Sequence, residues 1–334
     1  MPFQPAIASP SLGHASVHPI QVKLEQAAAH GFKLIEIVEE DLNMYSRSLE
    51  GGLTDSNKIR AAEFVRGFAD TKGLQVAVLQ PFWFYDGLLD RKEHEAMIAK
   101  LRLWMRLVKI LGTQLVQIPS NWLVEGTTGD MDIIVKDLVE MADIGLEQDP
   151  VVSFAYEGVA WGTHIDTWQG SWEVVKRVNK PNFGLCLDTF HIAARVWGDP
   201  TASSGKNPNA DIQLNNSMKQ LVEEVDVRKV FYVQVGDAER LEQPLLPGHP
   251  FHVEGQLPRM SWSRNARLFA FEEGRGGCLP VALVIDAIIN KLNFRGLLTL
   301  EVFSRELLEN DASVPNNFAA RGMKSWKSMI EMID

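Results

Sequence analysis

Eight short apolar runs, each separated from the next by a polar or amphipathic stretch, constrain this chain more than any other feature of its sequence. The runs are Ala6–Ser9, Lys33–Val38, Leu74–Leu79, Gln114–Ile118, Val151–Tyr156, Phe183–Leu187, Val230–Val235 and Leu297–Leu300. Their β-branched and aromatic content reads as buried strand. Helical periodicity fills the intervals at Pro19–His30, Asp55–Lys72, Arg91–Leu111, Asp130–Glu147, Trp168–Val178 and Pro280–Leu292, and Asn317–Ile333 closes the chain. Thr54 or Asp55 supplies a cap, and Gly31, Gly73 and Gly112 follow helix ends. Strands that alternate with helices pair in parallel, and eight of them close into a (β/α)8 TIM barrel rather than an open sheet. The open alternative carries a glycine-rich turn after its first strand, whereas here that turn is Pro10-Ser-Leu-Gly-His14. One barrel domain over 1–334 is therefore expected, with two excursions. The stretch 198–217, rich in Pro, Gly, Ser and Asn, reads as a mobile surface loop. The stretch 237–277 is a longer insertion after the seventh strand, which in a barrel lies over the active face.

Composition narrows the function classes. A net charge of −10 argues against a nucleic-acid partner, because phosphate binding needs a basic surface. Two distant cysteines, Cys186 and Cys278, provide neither a disulfide framework nor a cysteine-rich zinc site. The first residues lack a basic leader, and no apolar run approaches membrane-spanning length. The expectation is a cytoplasmic protein acting on a small molecule, with no membrane partner; the sequence leaves the oligomeric state open, a homo-oligomer included.

Polar residues at the strand ends carry the chemistry. Glu157 closes the fifth strand, Asp188 the sixth and Glu301 the eighth, and Gln234 lies near the end of the seventh. Four oxygen donors on successive strands converge on one side of a barrel mouth and suit a hard divalent ion such as Mg²⁺ or Mn²⁺. Three acids crowded together also call for a counter-charge. His191 stands three residues after Asp188, on the same side of a helical turn, and adds an imidazole for acid/base work. The plainer alternative makes Asp188 a helix N-cap and His191 a solvated side chain.

Several longer motifs resemble a known family. Ala8-Ser-Pro-Ser-Leu-Gly13, Leu79-Gln-Pro-Phe82, Ile118-Pro-Ser-Asn121, Leu187-Asp-Thr-Phe-His191, Val233-Gln-Val-Gly-Asp237 and Arg259-Met-Ser-Trp-Ser-Arg-Asn-Ala-Arg-Leu-Phe269 are similar to segments of the xylose-isomerase-like barrels. More narrowly they resemble the fungal-type 3-dehydroshikimate dehydratases of quinate catabolism. That resemblance implies a divalent metal (Mg²⁺, Mn²⁺ or Co²⁺) held by Glu157, Asp188, Gln234 and Glu301. It implies His191 beside the substrate and Ser263 and Arg267 in substrate binding. It also implies a carboxylate-binding arginine after the third strand, matched by Arg91.

The implied substrate is a cyclic enone carrying a carboxylate, a ketone and two hydroxyls. A cation on the ketone and α-hydroxyl oxygens would acidify the hydrogen between the ketone and the leaving hydroxyl. Loss of water through an enediolate then gives protocatechuate. His191 and a carboxylate near the metal, Glu157 foremost, are the acid/base candidates. A sugar isomerase or epimerase on the same barrel shares the metal but needs no carboxylate-binding arginine. An abasic-site nuclease would want several metal-binding histidines and a basic groove. A barrel that only binds its ligand is the alternative from another class.

Overall fold

The structure, a computed structural model, describes residues 3–333. In chain order its elements are β1 (Ala6–Ala8), α1 (Ile20–Ala29), β2 (Leu34–Val38), α2 (Glu39–Ser48), α3 (Asp55–Thr71), β3 (Gln75–Gln80) and α4 (Arg91–Leu111). These are followed by β4 (Leu115–Pro119), α5 (Met131–Leu146), β5 (Ser153–Glu157), α6 (Trp168–Val178), β6 (Phe183–Asp188), α7 (Thr189–Val196) and α8 (Ala210–Glu224). The last are β7 (Val230–Val235), the two-residue strand β8 (Asp237–Ala238), α9 (Pro258–Ala266), its partner strand β9 (Arg267–Leu268), α10 (Val281–Asp286), β10 (Leu297–Leu300) and α11 (Val314–Ile333).

Eight of the strands form a closed parallel barrel in the order β1-β10-β7-β6-β5-β4-β3-β2, the expected (β/α)8 architecture. Closure runs through Ile7 opposite Leu300. Local signals set the helix ends. The Asp90 side chain accepts from Lys92 N at the start of α4, and Gly112 ends that helix at φ 73°, a left-handed conformation that costs glycine no Cβ clash. On the same helix Leu101, Trp104, Met105, Val108 and Leu111 repeat at helical spacing and are buried against the barrel. At the end of β7, a Cβ on Gly236 would lie 2.5 Å from the Glu301 carbonyl oxygen, so only glycine lets the chain pass this close to β10.

Three departures from the sequence reading have physical causes. Helix α2 was not anticipated, because its segment EEDLNMYSRS carries few apolar residues; three acids in its first turn favour the helix N-terminus instead. The expected mobile loop 198–217 ends earlier, since Leu214, Met218 and Leu221 repeat at helical spacing and bury one face of α8. The remaining turn is fastened by Asn207, whose Nδ2 donates to the carbonyls of Arg195, Val196 and Gly198. The helix expected over Pro280–Leu292 begins as α10 and widens into a π-helical turn at Ala287–Lys291.

The insertion 237–277 folds onto the C-terminal face of the barrel. Its β8–β9 pair is antiparallel, and Trp262 and Phe269 are buried. Arg259 fixes α9 to α7 by donating to the Ala194 and Gly198 carbonyl oxygens, each at 2.8 Å. Among the described residues, no helix is long and apolar enough to cross a membrane.

Candidate active site

The barrel delivers its polar strand ends to one place. Asp188 pairs in register with Gln234 on the neighbouring strand, and Thr299 on β10 flanks Gln234 from the other side. Glu157, Asp188, Gln234 and Glu301 are all buried, as is His191 on the first turn of α7. Among the described residues, Glu157, Asp188 and His191 offer ligand atoms that all lie within 4.8 Å of one another.

Asp188 is the N-cap of α7 and also a member of the buried cluster. Its Oδ1 accepts from Phe190 N at 2.6 Å and caps α7, while its Oδ2 accepts from Arg267 Nη1 at 2.7 Å. The same Nη1 lies 3.4 Å from Glu301 Oε2, and Arg267 Nε donates to Ser263 Oγ at 2.9 Å. Arg267 is itself buried, with its guanidinium 4.1 Å from the Phe190 ring centroid, so it enters the cluster from the start of β9, directly after α9, across an aromatic floor.

His191 Nδ1 accepts from Ala160 N at 3.0 Å, and its Nε2 faces Arg267 Nη2 at 2.9 Å. A neutral imidazole has one acceptor nitrogen, so two N–H donors compete for it. The backbone amide is fixed by the fold, and the side chain is the partner free to turn. With Nδ1 accepting, the ring proton belongs on Nε2, which faces the carboxylates Asp188 at 3.7 Å and Glu157 at 3.9 Å. Burial, helped by Arg267, holds the ring well below its usual pKa and therefore neutral.

The carboxyls are shifted the other way. Burial, then the charge of Asp188, raises Glu157 well above its ordinary range, and burial raises Asp188 against the pull of Arg267. Glu301 is pushed up to about 7, mainly by burial. Four buried carboxyls, counting Glu36, meet the single guanidinium of Arg267, so the cluster is short of positive charge. Hard oxygens from carboxylates and an amide, with that deficit, fit a divalent cation.

Strands β2 to β4 contribute residues that sequence reasoning missed. Glu36 accepts from Gln80 Nε2 at 3.1 Å and Gln234 Nε2 at 3.2 Å, and Gln117 Nε2 donates to Glu157 Oε2 at 2.5 Å. Burial and then Glu301 push Glu36 up to about 8. The only signal was a polar residue interrupting an apolar strand, as in Leu34-Ile-Glu-Ile-Val38. Above the cluster opens a cavity of about 450 Å³ walled by Trp83, Trp122 and Trp161 and reached by Ser263 and Arg267. Trp161 packs edge-on against His191 at 4.8 Å between centroids.

Arg91 is not part of this site. As the first residue of α4 it turns toward α5, donating to the buried Asp137 at 2.8 Å, and it lines a separate surface depression with His94 and Glu140. The loop between β3 and α4 carries it away from the mouth, which corrects the expectation that it binds a substrate carboxylate.

The chain matches the family described as xylose isomerase-like TIM barrel over residues 24–329. It is 44% identical to a 3-dehydroshikimate dehydratase of Neurospora crassa, across 99% of this chain and 94% of the relative. It is 28% identical to a 3-dehydroshikimate dehydratase of Pseudomonas aeruginosa across 84% of this chain, which amounts to 36% of that longer protein. A solved xylose isomerase-like TIM barrel/4-hydroxyphenylpyruvate dioxygenase fusion protein superposes on 98% of this chain and 43% of its own, with a TM-score of 0.73 and 26% identity. Together with the closed barrel, these matches establish that the chain belongs to the 3-dehydroshikimate dehydratases within the xylose isomerase-like TIM-barrel family.

Proposed function

We propose that this chain is a hydro-lyase that converts 3-dehydroshikimate to protocatechuate and water with the help of a divalent cation. The observation that carries the reading is the buried group of Glu157, Asp188 and His191, capped by a helix that brings Ser263 and Arg267 to the same cavity. Glu157, Asp188, Gln234 and Glu301 would hold the cation, with Mg²⁺, Mn²⁺ and Co²⁺ the candidates for such a donor set. When bound, it supplies Lewis-acid polarisation of the substrate's ketone, which acidifies the neighbouring carbon–hydrogen bond.

The protein's own groups do the rest. A carboxylate of the cluster, Glu157 foremost, takes the proton from carbon. His191, neutral with Nδ1 taken by Ala160 N, gives its Nε2 proton to the departing hydroxyl and regains one from Glu157, 3.9 Å from Nε2. The proton lost from carbon thus leaves in the water. Arg267 turns from His191 and Asp188 toward the substrate carboxylate, where its planar fork makes two parallel hydrogen bonds. Ser263, already bonded to Arg267, orients that guanidinium and a substrate hydroxyl. The three tryptophans, packed edge to face, line the cavity with apolar surface that limits water around a six-membered ring on its way to aromaticity. The test is the ultraviolet appearance of protocatechuate from 3-dehydroshikimate, with and without a chelator. No protocatechuate from metal-supplemented protein sinks the reading.

A further inference from the structure

Glu36 lies in the middle of β2, wholly buried, and is none of the strand-end residues assigned to the cation. Its Oε2 accepts both from Gln80 Nε2, at 3.1 Å, and from Gln234 Nε2, at 3.2 Å. Gln80 Nε2 is held at its other side by Glu301 Oε1 at 2.7 Å. Only the NH₂ end of a glutamine donates, so the Gln80 nitrogen serves both carboxyl oxygens. The same logic turns the Gln234 nitrogen toward Glu36 and its Oε1 away. That oxygen lies 3.4 Å from the Cys186 thiol, which is also 3.9 Å from Glu157 Oε1. A glutamine amide is nearly symmetric in shape. Rotated by half a turn, Gln234 would present NH₂ to the site, and NH₂ cannot ligate a cation.

On the cation-dependent reading above, we infer that Glu36 is a positioning residue that locks the Gln234 amide with its carbonyl oxygen toward the cation. The lock needs an acceptor oxygen on Glu36 rather than a charge. It acts across the barrel interior, since β2 and β7 are not neighbours in the sheet.

Calorimetric titration of metal-free protein with Mn²⁺ tests this. Glu36→Leu removes the acceptor and lowers Mn²⁺ affinity by roughly 10–100-fold, the usual effect of losing a residue that orients a ligand. Glu36→Thr, whose hydroxyl is too short to reach the two amides, replaces it if Glu36→Leu does not fold. Glu36→Gln keeps an acceptor and stays close to wild type. In a Gln234→Glu background the two carboxylate oxygens are equivalent and need no orienting, so adding Glu36→Leu leaves Mn²⁺ affinity unchanged or raises it. Unchanged affinity in Glu36→Leu overturns the proposal. So does an equal fall in Glu36→Leu and Glu36→Gln, or a fall that persists in the Gln234→Glu background. If wild-type protein binds no Mn²⁺ at all, the cation-dependent reading itself fails, which is a distinct result.

Discussion

Arg267 donates to Asp188 across 2.7 Å in the floor of the barrel mouth, the closest approach of a cation to the carboxyl cluster. The contact couples two roles that the sequence kept apart. On the sequence alone, loss of this arginine would weaken substrate binding and leave the metal ligands undisturbed. Its nitrogen touches both Asp188 and Glu301, so the two effects cannot be separate.

Arg267→Ala is expected to raise KM for 3-dehydroshikimate by roughly 10–100-fold, the worth of a charge-assisted pair at about 1.4 kcal/mol per decade. Removing a competing positive charge should also tighten the divalent cation, so that more chelator is needed for half inactivation. Arg267→Lys recovers part of KM only, lacking the two parallel donors. Arg91→Ala is the control and leaves KM unchanged, its guanidinium being engaged by Asp137 outside the cavity. Steady-state kinetics decides, and an unaltered KM in Arg267→Ala removes this residue from substrate binding.

Chelation should abolish turnover, and Mg²⁺, Mn²⁺ or Co²⁺ should restore it. Glu157→Gln and Glu301→Gln each remove charge with little change of volume, so both should fold yet lose activity. Full turnover by protein shown by elemental analysis to be metal-free contradicts this.

His191→Asn should lower kcat by roughly 10²–10⁴, the worth of one positioned acid or base, while ligand binding measured separately persists. Near-normal kcat would leave His191 only its packing against Trp161 and its bond from Ala160 N.

Metal-free protein should lose thermal stability as pH rises from 6.5 to 8. Glu36 and Glu301 are raised from 4.5 to about 8 and about 7, so the folded state binds more protons than the unfolded one over that interval. Their contribution is therefore lost as pH increases. His191, lowered from 6.5, has the opposite sign but acts only below that value. A bound divalent cation favours the ionised carboxyls and should flatten or reverse the slope. Melting temperatures measured across this range, with and without Mn²⁺, check both halves, and a metal-free value that climbs with pH contradicts the first.

The barrel was legible because its strands are continuous apolar runs, and a lone acid at the end of such a run stands out, as at Glu157, Asp188 and Glu301. Helices α2 and α8 were harder to read, one for want of an apolar stripe and the other because Asn215, Asn216 and the buried Ser217 interrupt its apolar face between Leu214 and Met218. Glu36 was invisible for a different reason. Its partner Gln234 is 198 positions away and on a strand that never pairs with β2, so only barrel closure brings them together. Arg91 misled because nearness to a strand end in sequence says nothing about which way a helix start will face.

The two oxygens of Asp188 are inequivalent before any ligand arrives, since one is committed to the amide of Phe190 and the other faces the cluster. The first turn of α7 and any cation drawn to the site thus share a single carboxyl group, and by reciprocity each must steady the other. Occupancy of the barrel mouth would then be written into the exchange rate of one backbone hydrogen, that of Phe190, slow when the cation is held and faster when it is withdrawn.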